Sequence, residues 1–223
     1  PDNNSAVNHL DISYSISEQL NVGEIVYTRI GGAEDPNSPV SINLEASELE
    51  TSFDQPQKTA QVPMLNDGTI YNIQLFGEDL ATNNAKSNVI ENVKYDITRP
   101  RINIYYPTSN SYFMGSDINI DISEDLKEGK MVWTRTGGLS DKVTKQKIPL
   151  YDQYLKKGAY EKASLPIEES LSAGVVYSLG VDAVDFAENE AEPVLIENIE
   201  FIRDMAGKWY YKGAIIEVVW VFE

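Results

Sequence analysis

Ile122 to Gly138 reads ISEDLKEGKMVWTRTGG, and Ile16 to Gly32 reads ISEQLNVGEIVYTRIGG: the same passage displaced by 106 residues, with 10 of 17 positions identical. The displacement persists along the chain. Tyr71–Asn83 (YNIQLFGEDLATN) meets Tyr177–Asn189 (YSLGVDAVDFAEN), and Ile90–Val93 (IENV) meets Ile196–Ile199 (IENI). A constant offset of this kind is the signature of tandem structural units, each a domain-sized piece of chain. Pro1 falls opposite Pro107, so the segment matching Arg101–Tyr106 has no partner, and the first unit is expected to lack its first strand.

Within each unit the apolar period is two. Ile118, Ile120 and Ile122 alternate with Asn119, Asp121 and Ser123, and Leu10, Ile12, Tyr14 and Ile16 alternate in the same way. That pattern places one side of a strand in a core and the other in water. The next strand carries Tyr27 in one unit and Trp133 in the other, and Gly31-Gly32 or Gly137-Gly138 ends it. A large aromatic at that point fills the space between two packed sheets, as the tryptophan of an immunoglobulin domain does. Gly68 and Gly174 each stand three residues before a tyrosine, Tyr71 or Tyr177, a spacing like that of the tyrosine corner of immunoglobulin-like sandwiches. Val40–Thr51 and Ile148–Leu155 read equally as a helical turn or an extra edge strand. The expected fold is all-β: two tandem immunoglobulin-like β-sandwiches, residues 1–98 and 99–204, arranged end to end through the stiff join at Pro100. A strand-rich extension, 205–223, follows as an added edge strand or the start of a further domain, with a weak likeness to the opening strand of a lipocalin-like barrel.

Composition narrows the function. Eighteen Lys and Arg stand against 35 Asp and Glu, a net charge of −17, so a nucleic-acid partner is excluded by repulsion. There is no cysteine, which removes disulfides and thiolate sites, and one histidine, His9, in a poorly patterned stretch. Triads needing Ser or Cys with His, multi-histidine metal sites, phosphate loops and dinucleotide fingerprints are therefore not expected. Carboxylate pairs of the glycosidase kind are too easily found among 35 acids to mean anything. No apolar run reaches the roughly 20 residues of a membrane span.

The pattern ISE-x-L-x-x-G-x-x-x-[YW]-T-R-x-GG, then L-x-x-G-x-x-Y, then D-x-A-x-N-x-A, resembles the bacterial immunoglobulin-like (Big-type) tandem repeats of very long surface and adhesin-like proteins. It covers the chain as far as Asp204. The resemblance implies export to the cell surface or medium, neighbouring domains of the same long chain as partners, and a noncatalytic role as stalk, spacer or adhesive module. After Asp204 the pattern stops, at Gly207-Lys-Trp209-Tyr-Tyr.

Calcium is the one cofactor the residues suggest. Glu18 and Glu124 recur at one position of the repeat, Asp79 and Asp185 at another, and Asp96 and Asp204 stand at the two domain ends. Hard cations take six to eight oxygens from such groups. The competing reading, which is favoured, makes Asp79–Asn83 and Asp185–Asn189 hairpin turns in which the carboxylates bond backbone. Lys142, Lys145, Lys147, Lys156, Lys157 and Lys162 form a basic stretch that reads as a solvated face. Two alternatives to a stalk remain. One is a carbohydrate-binding accessory module of a secreted enzyme, holding surface glycans through exposed Tyr105, Tyr106, Tyr112 or Phe113. The other is a subunit of an extracellular filament or surface layer, exchanging a strand such as Ile215–Phe222 with other protein subunits.

Overall fold

The computed structural model describes residues 1–52, 57–59, 61–167, 169–203, 207–211 and 214–218. Among them there is no α-helix. The chain divides into two compact units: Pro1–Arg99 with Val184–Asn189, and Pro100–Ala183 with Glu190–Glu223.

Unit 1 contains β1 (Ala6–Val7), β2 (Ser13–Tyr14), β3 (Leu20–Gly32), β4 (Val40–Asn43), β5 (Gln57–Lys58), β6 (Thr69–Asp79), β7 (Asn84–Lys86) and β8 (Ile90–Tyr95). Its larger sheet runs β1-β8-β6-β3-β4 with β7 against β6, and β2-β5 form the second sheet. Unit 2 holds β9 (Ile102–Tyr106), β10 (Tyr112–Met114), β11 (Asp117–Ile122), β12 (Leu126–Gly138), β13 (Lys145–Pro149) and β14 (Gly158–Ser164). It also holds most of β15 (Val175–Asp185), and β16 (Leu195–Ile202), β17 (Gly207–Tyr211) and β18 (Ala214–Val218). Its sheets are β10-β16-β15-β12-β13 and β14-β11-β9. Each unit is thus an immunoglobulin-like sandwich, with the two long central strands, β3 and β6 or β12 and β15, paired antiparallel in one sheet. The first short strand of each, β1 or β10, joins that sheet parallel to the last.

The cores follow the alternation. β15 buries every second residue from Val175 to Asp185, and β11 buries Ile118, Ile120 and Ile122. These isoleucines share one core with Met131, Trp133, Tyr177, Leu179, Ile199 and Phe201 from the facing sheet. Trp133 is fully buried, stacked on Phe113 at 5.4 Å and edge-on to Tyr177 at 6.1 Å. In unit 1 Tyr27 meets Tyr71 edge-on at 6.4 Å, and Val7 stands where unit 2 has Phe113. The smaller aromatic goes with the smaller neighbour. Among the described residues the hydroxyl of Tyr27 and the indole N–H of Trp133 are both buried without a hydrogen-bond partner. Packing of the ring, not its polar atom, decides what occupies this place.

Both undecided segments resolve as strand and turn together. β4 is followed by a 3-10 turn at Ala46–Glu48, and β13 by one at Asp152–Leu155. Glu45 and Glu48 close the first turn as a capping box, Glu48 accepting from the Glu45 backbone N–H. At the far end β17 and β18 pair antiparallel with each other as a separate two-stranded sheet, so among the described residues they add no edge to the second sandwich.

Candidate functional site

Polar residues that recur at the 106-residue displacement are where a repeated ligand site would be built. Tyr71 and Tyr177 lie at 1% and 0% exposure. The Tyr71 hydroxyl accepts from the Asn66 backbone N–H at 3.1 Å and donates to Asp35 at 2.7 Å. Tyr177 repeats this, accepting from the Ser172 N–H at 3.0 Å and donating to Asp141, which also accepts from the Ser172 hydroxyl at 3.0 Å. The tyrosine corner is therefore present twice, each extended by an aspartate that sequence reading missed. Asp35 and Asp141 are themselves 106 residues apart, which is the signal that could have found them. Burial pushes Asp141 up. The hydrogen bonds from Tyr177, Ser172 and the Val143 and Lys142 N–H groups outweigh that and hold it below the ordinary carboxylate value. Burial and the Asp141 carboxylate push the Tyr177 hydroxyl up to about 12.

Two further pairs do the same kind of work. Arg29 donates to the carbonyls of Ala33 and Gly32, and Arg135 to those of Leu139 and Gly138, tying off the loop after each long strand. Asn92 and Asn198 sit at φ of 57° and 56°, and donate to the Asn4 and Asn110 side chains at 3.1 and 3.0 Å. They pin the parallel first strands against β8 and β16.

Of the residues proposed for calcium, Asp79 accepts from the Ala81 and Asn83 backbone N–H groups and from the Asn83 side chain, all at 2.8 Å. Asp185 accepts from Ala187 and Asn189 in the same way and at the same distances. The Asn83 side-chain and backbone donors hold Asp79 below the ordinary carboxylate value. These are Asp-closed turns. Asp96, buried, accepts from the Thr98 N–H at 3.2 Å and pairs with the Lys94 ammonium. Unit 1 places Asp96 and Asp185 with carboxylate oxygens within 4.8 Å of each other. The Asn189 side chain bridges them, donating to the Asp96 carbonyl at 2.8 Å as well as to Asp185. Glu18 is exposed and lines a groove with Asp79, whereas Glu124 is a half-buried residue of unit 2. Asp204 lies outside the described residues. Asp96 and Asp185 offer carboxylate oxygens, but each is already compensated, Asp96 by the Lys94 ammonium and Asp185 by three N–H donors.

Among the aromatics proposed for glycan contact, Tyr105 and Tyr112 are exposed at 61% and 68%. Phe113 is a correction: it is fully buried between Trp133 and Phe201, because the strand alternation that exposes Tyr112 turns its neighbour into the core. His9 is exposed. Lys156 pairs with Asp125 at 2.9 Å on the surface.

No family model matches this chain, and no curated protein matches it. Among solved structures it is similar to the fibronectin(III)-like modules of Clostridium thermocellum CbhA, with 13% identity, a TM-score of 0.37, and coverage of 95% of this chain and 96% of that one.

Proposed function

We propose that this chain is a noncatalytic structural repeat segment of an extracellular or cell-surface bacterial protein, serving as a stalk or spacer between neighbouring domains of a longer chain. One observation carries the reading: at three places of the repeat the recurring polar residues close the repeat itself. Tyr71–Asp35 and Tyr177–Asp141 hold the corner, Arg29 and Arg135 the loop, and Asp79 and Asp185 the turn. A repeated binding or catalytic site would leave such groups aimed outward at a substrate. Export follows from the bacterial repeats that the sequence resembles, and a net charge of −17 without cysteine suits that setting. A glycan array together with a panel of soluble polysaccharides tests the role. The expected result is neither binding nor hydrolysis. Reproducible binding that disappears in Tyr105→Ala and Tyr112→Ala variants contradicts the proposal and makes the chain a carbohydrate-binding module.

A calcium-stiffened form of the same role is favoured by the approach of Asp96 to Asp185 in unit 1. Thermal melts at low salt, in calcium and then in a chelator, decide it. A midpoint raised by calcium supports the ion, and identical midpoints remove it.

A further inference from the structure

Among the described residues, each unit has an open strand edge at the same place of the repeat. β4 and β13 stand at the ends of the two larger sheets, and Ser41, Ile42 and Asn43 correspond to Lys147, Ile148 and Pro149. The Leu44 N–H bonds the Gly23 carbonyl, and in unit 2 the Arg135 N–H bonds the Thr144 carbonyl and the Leu150 N–H the Gly129 carbonyl, all at 2.8 Å. Antiparallel pairing alternates, so Ser41 and Asn43, like Lys145 and Lys147, turn their main-chain N–H and C=O groups to the open side. The two edges differ in charge. Lys142, Lys145 and Lys147 are exposed, and among the described residues none of their ammonium groups is in an ion pair. Beside β4 a groove of 380 Å³ is lined by Val22, Glu24, Asn43, Phe76, Glu78 and Asn84. Val22 and Phe76 are 55% and 36% exposed. Glu24, half-buried, stands opposite both Asn43 and Phe76, and among the described residues neither it nor Glu78 has a cationic partner. In unit 2 the counterparts of Glu24 and Phe76 are Lys130 and Asp182, which pair with each other at 3.8 Å. Unit 2 supplies its own cation at this point and unit 1 does not.

We propose that β13 of one copy of this chain docks on β4 of a second copy, antiparallel to it, and sets Lys145 into the groove that holds Glu24 and Glu78. In the register that puts Lys145 opposite Asn43 and Lys147 opposite Ser41, both pairs exchange their main-chain bonds. Pro39 and Pro149, which have no N–H to offer, then fall opposite each other at the end. Glu24 lies two strands from Lys145 in this arrangement, about 10 Å at the backbone, a gap the two side chains span. The Phe76 ring beside it gives the ammonium a face. Charge selects the occupant. Lysines and a proline ordinarily keep strand edges apart, and two β13 edges would set like charges against each other. The unpaired carboxylates on β3 and β6 attract the same lysines, so the edge that refuses its own kind accepts β4. The contact uses two different surfaces, so every pair leaves one of each free and further copies add to it.

Sedimentation of the full chain over a range of concentrations reads the association, and the average mass is expected to rise with concentration. Lys145→Glu combined with Lys147→Glu is expected to weaken association by about tenfold or more, and so is Glu24→Lys combined with Glu78→Lys. A mixture of the two double variants is expected to recover it, because each keeps the surface the other has lost. Carbodiimide coupling in a mixture of isotope-labelled and unlabelled chain is expected to join Lys145 of one copy to Glu24 or Glu78 of another. A chain that stays monomeric at every concentration overturns the proposal. Association that either double variant leaves unchanged, or cross-links between copies that avoid β4 and β13, overturns it as well. A monomer that instead retains an anionic polysaccharide through Lys145 and Lys147 gives that edge a different partner and has the same force.

Discussion

Tyr177 connects two parts of unit 2 that lie 36 residues apart, since its hydroxyl joins the Ser172 N–H to Asp141. Removing that hydroxyl in Tyr177→Phe strips the carboxylate of one donor, and the unit is expected to lose about 1–3 kcal/mol in denaturant titration. The same residues set a pH dependence. Asp141, Asp79 and Asp67 all titrate below the ordinary carboxylate value when folded: Asp141 and Asp67 because hydrogen bonds outweigh their burial, and Asp79 chiefly through Asn83. Their stabilisation is complete above the unfolded value of about 3.9 and is lost as pH falls through the lower folded values. Tyr177 has the opposite sign. With its hydroxyl raised to about 12, its contribution is complete below the unfolded value of about 10 and fades as pH climbs toward 12. Melting midpoints are therefore expected to form a plateau that falls at both ends, and Tyr177→Phe is expected to flatten the alkaline limb. The tyrosine was legible in the sequence from its distance to a turn glycine. Its aspartate was not, because hydrogen-bond partners far apart along the chain leave no mark in the local period.

The long strands were legible from their aromatic and their glycine pair, whereas the alternation over Leu10–Ile16 yields only the two-residue β2, Ser13–Tyr14. β3 and β12 begin and end at positions 106 apart, as do β6 and β15, and a glycine pair closes the first two. The terminal glycine is demanded by geometry: Gly138 has φ of +69°, and a Cβ there would stand 2.4 Å from the Gly174 carbonyl oxygen, which already accepts from the Leu139 N–H. Gly138→Ala is expected to cost about 1–3 kcal/mol in unit 2, measured as a lowered denaturation midpoint with an unchanged slope. What the sequence withheld at this scale was pairing. The parallel seat of β1 on β8 and β10 on β16 rests on two-to-three-residue strands, too short to show a period. The Asn4–Asn92 and Asn110–Asn198 side-chain bonds that hold them join residues 88 apart.

At the scale of the molecule, the repeat defines two domain-sized pieces whose recurring polar groups are spent internally, and the role proposed for them is mechanical. Each long sandwich strand must be torn from its neighbours across many backbone bonds, so a unit built this way resists extension and then yields all at once. The decisive measurement is constant-velocity pulling on the full 223-residue chain held at its two termini. Two separate rupture events are expected, each releasing about 30–35 nm of chain, the extended length of roughly 100 residues. Gradual lengthening without rupture peaks would contradict a stalk or spacer made of two load-bearing sandwiches.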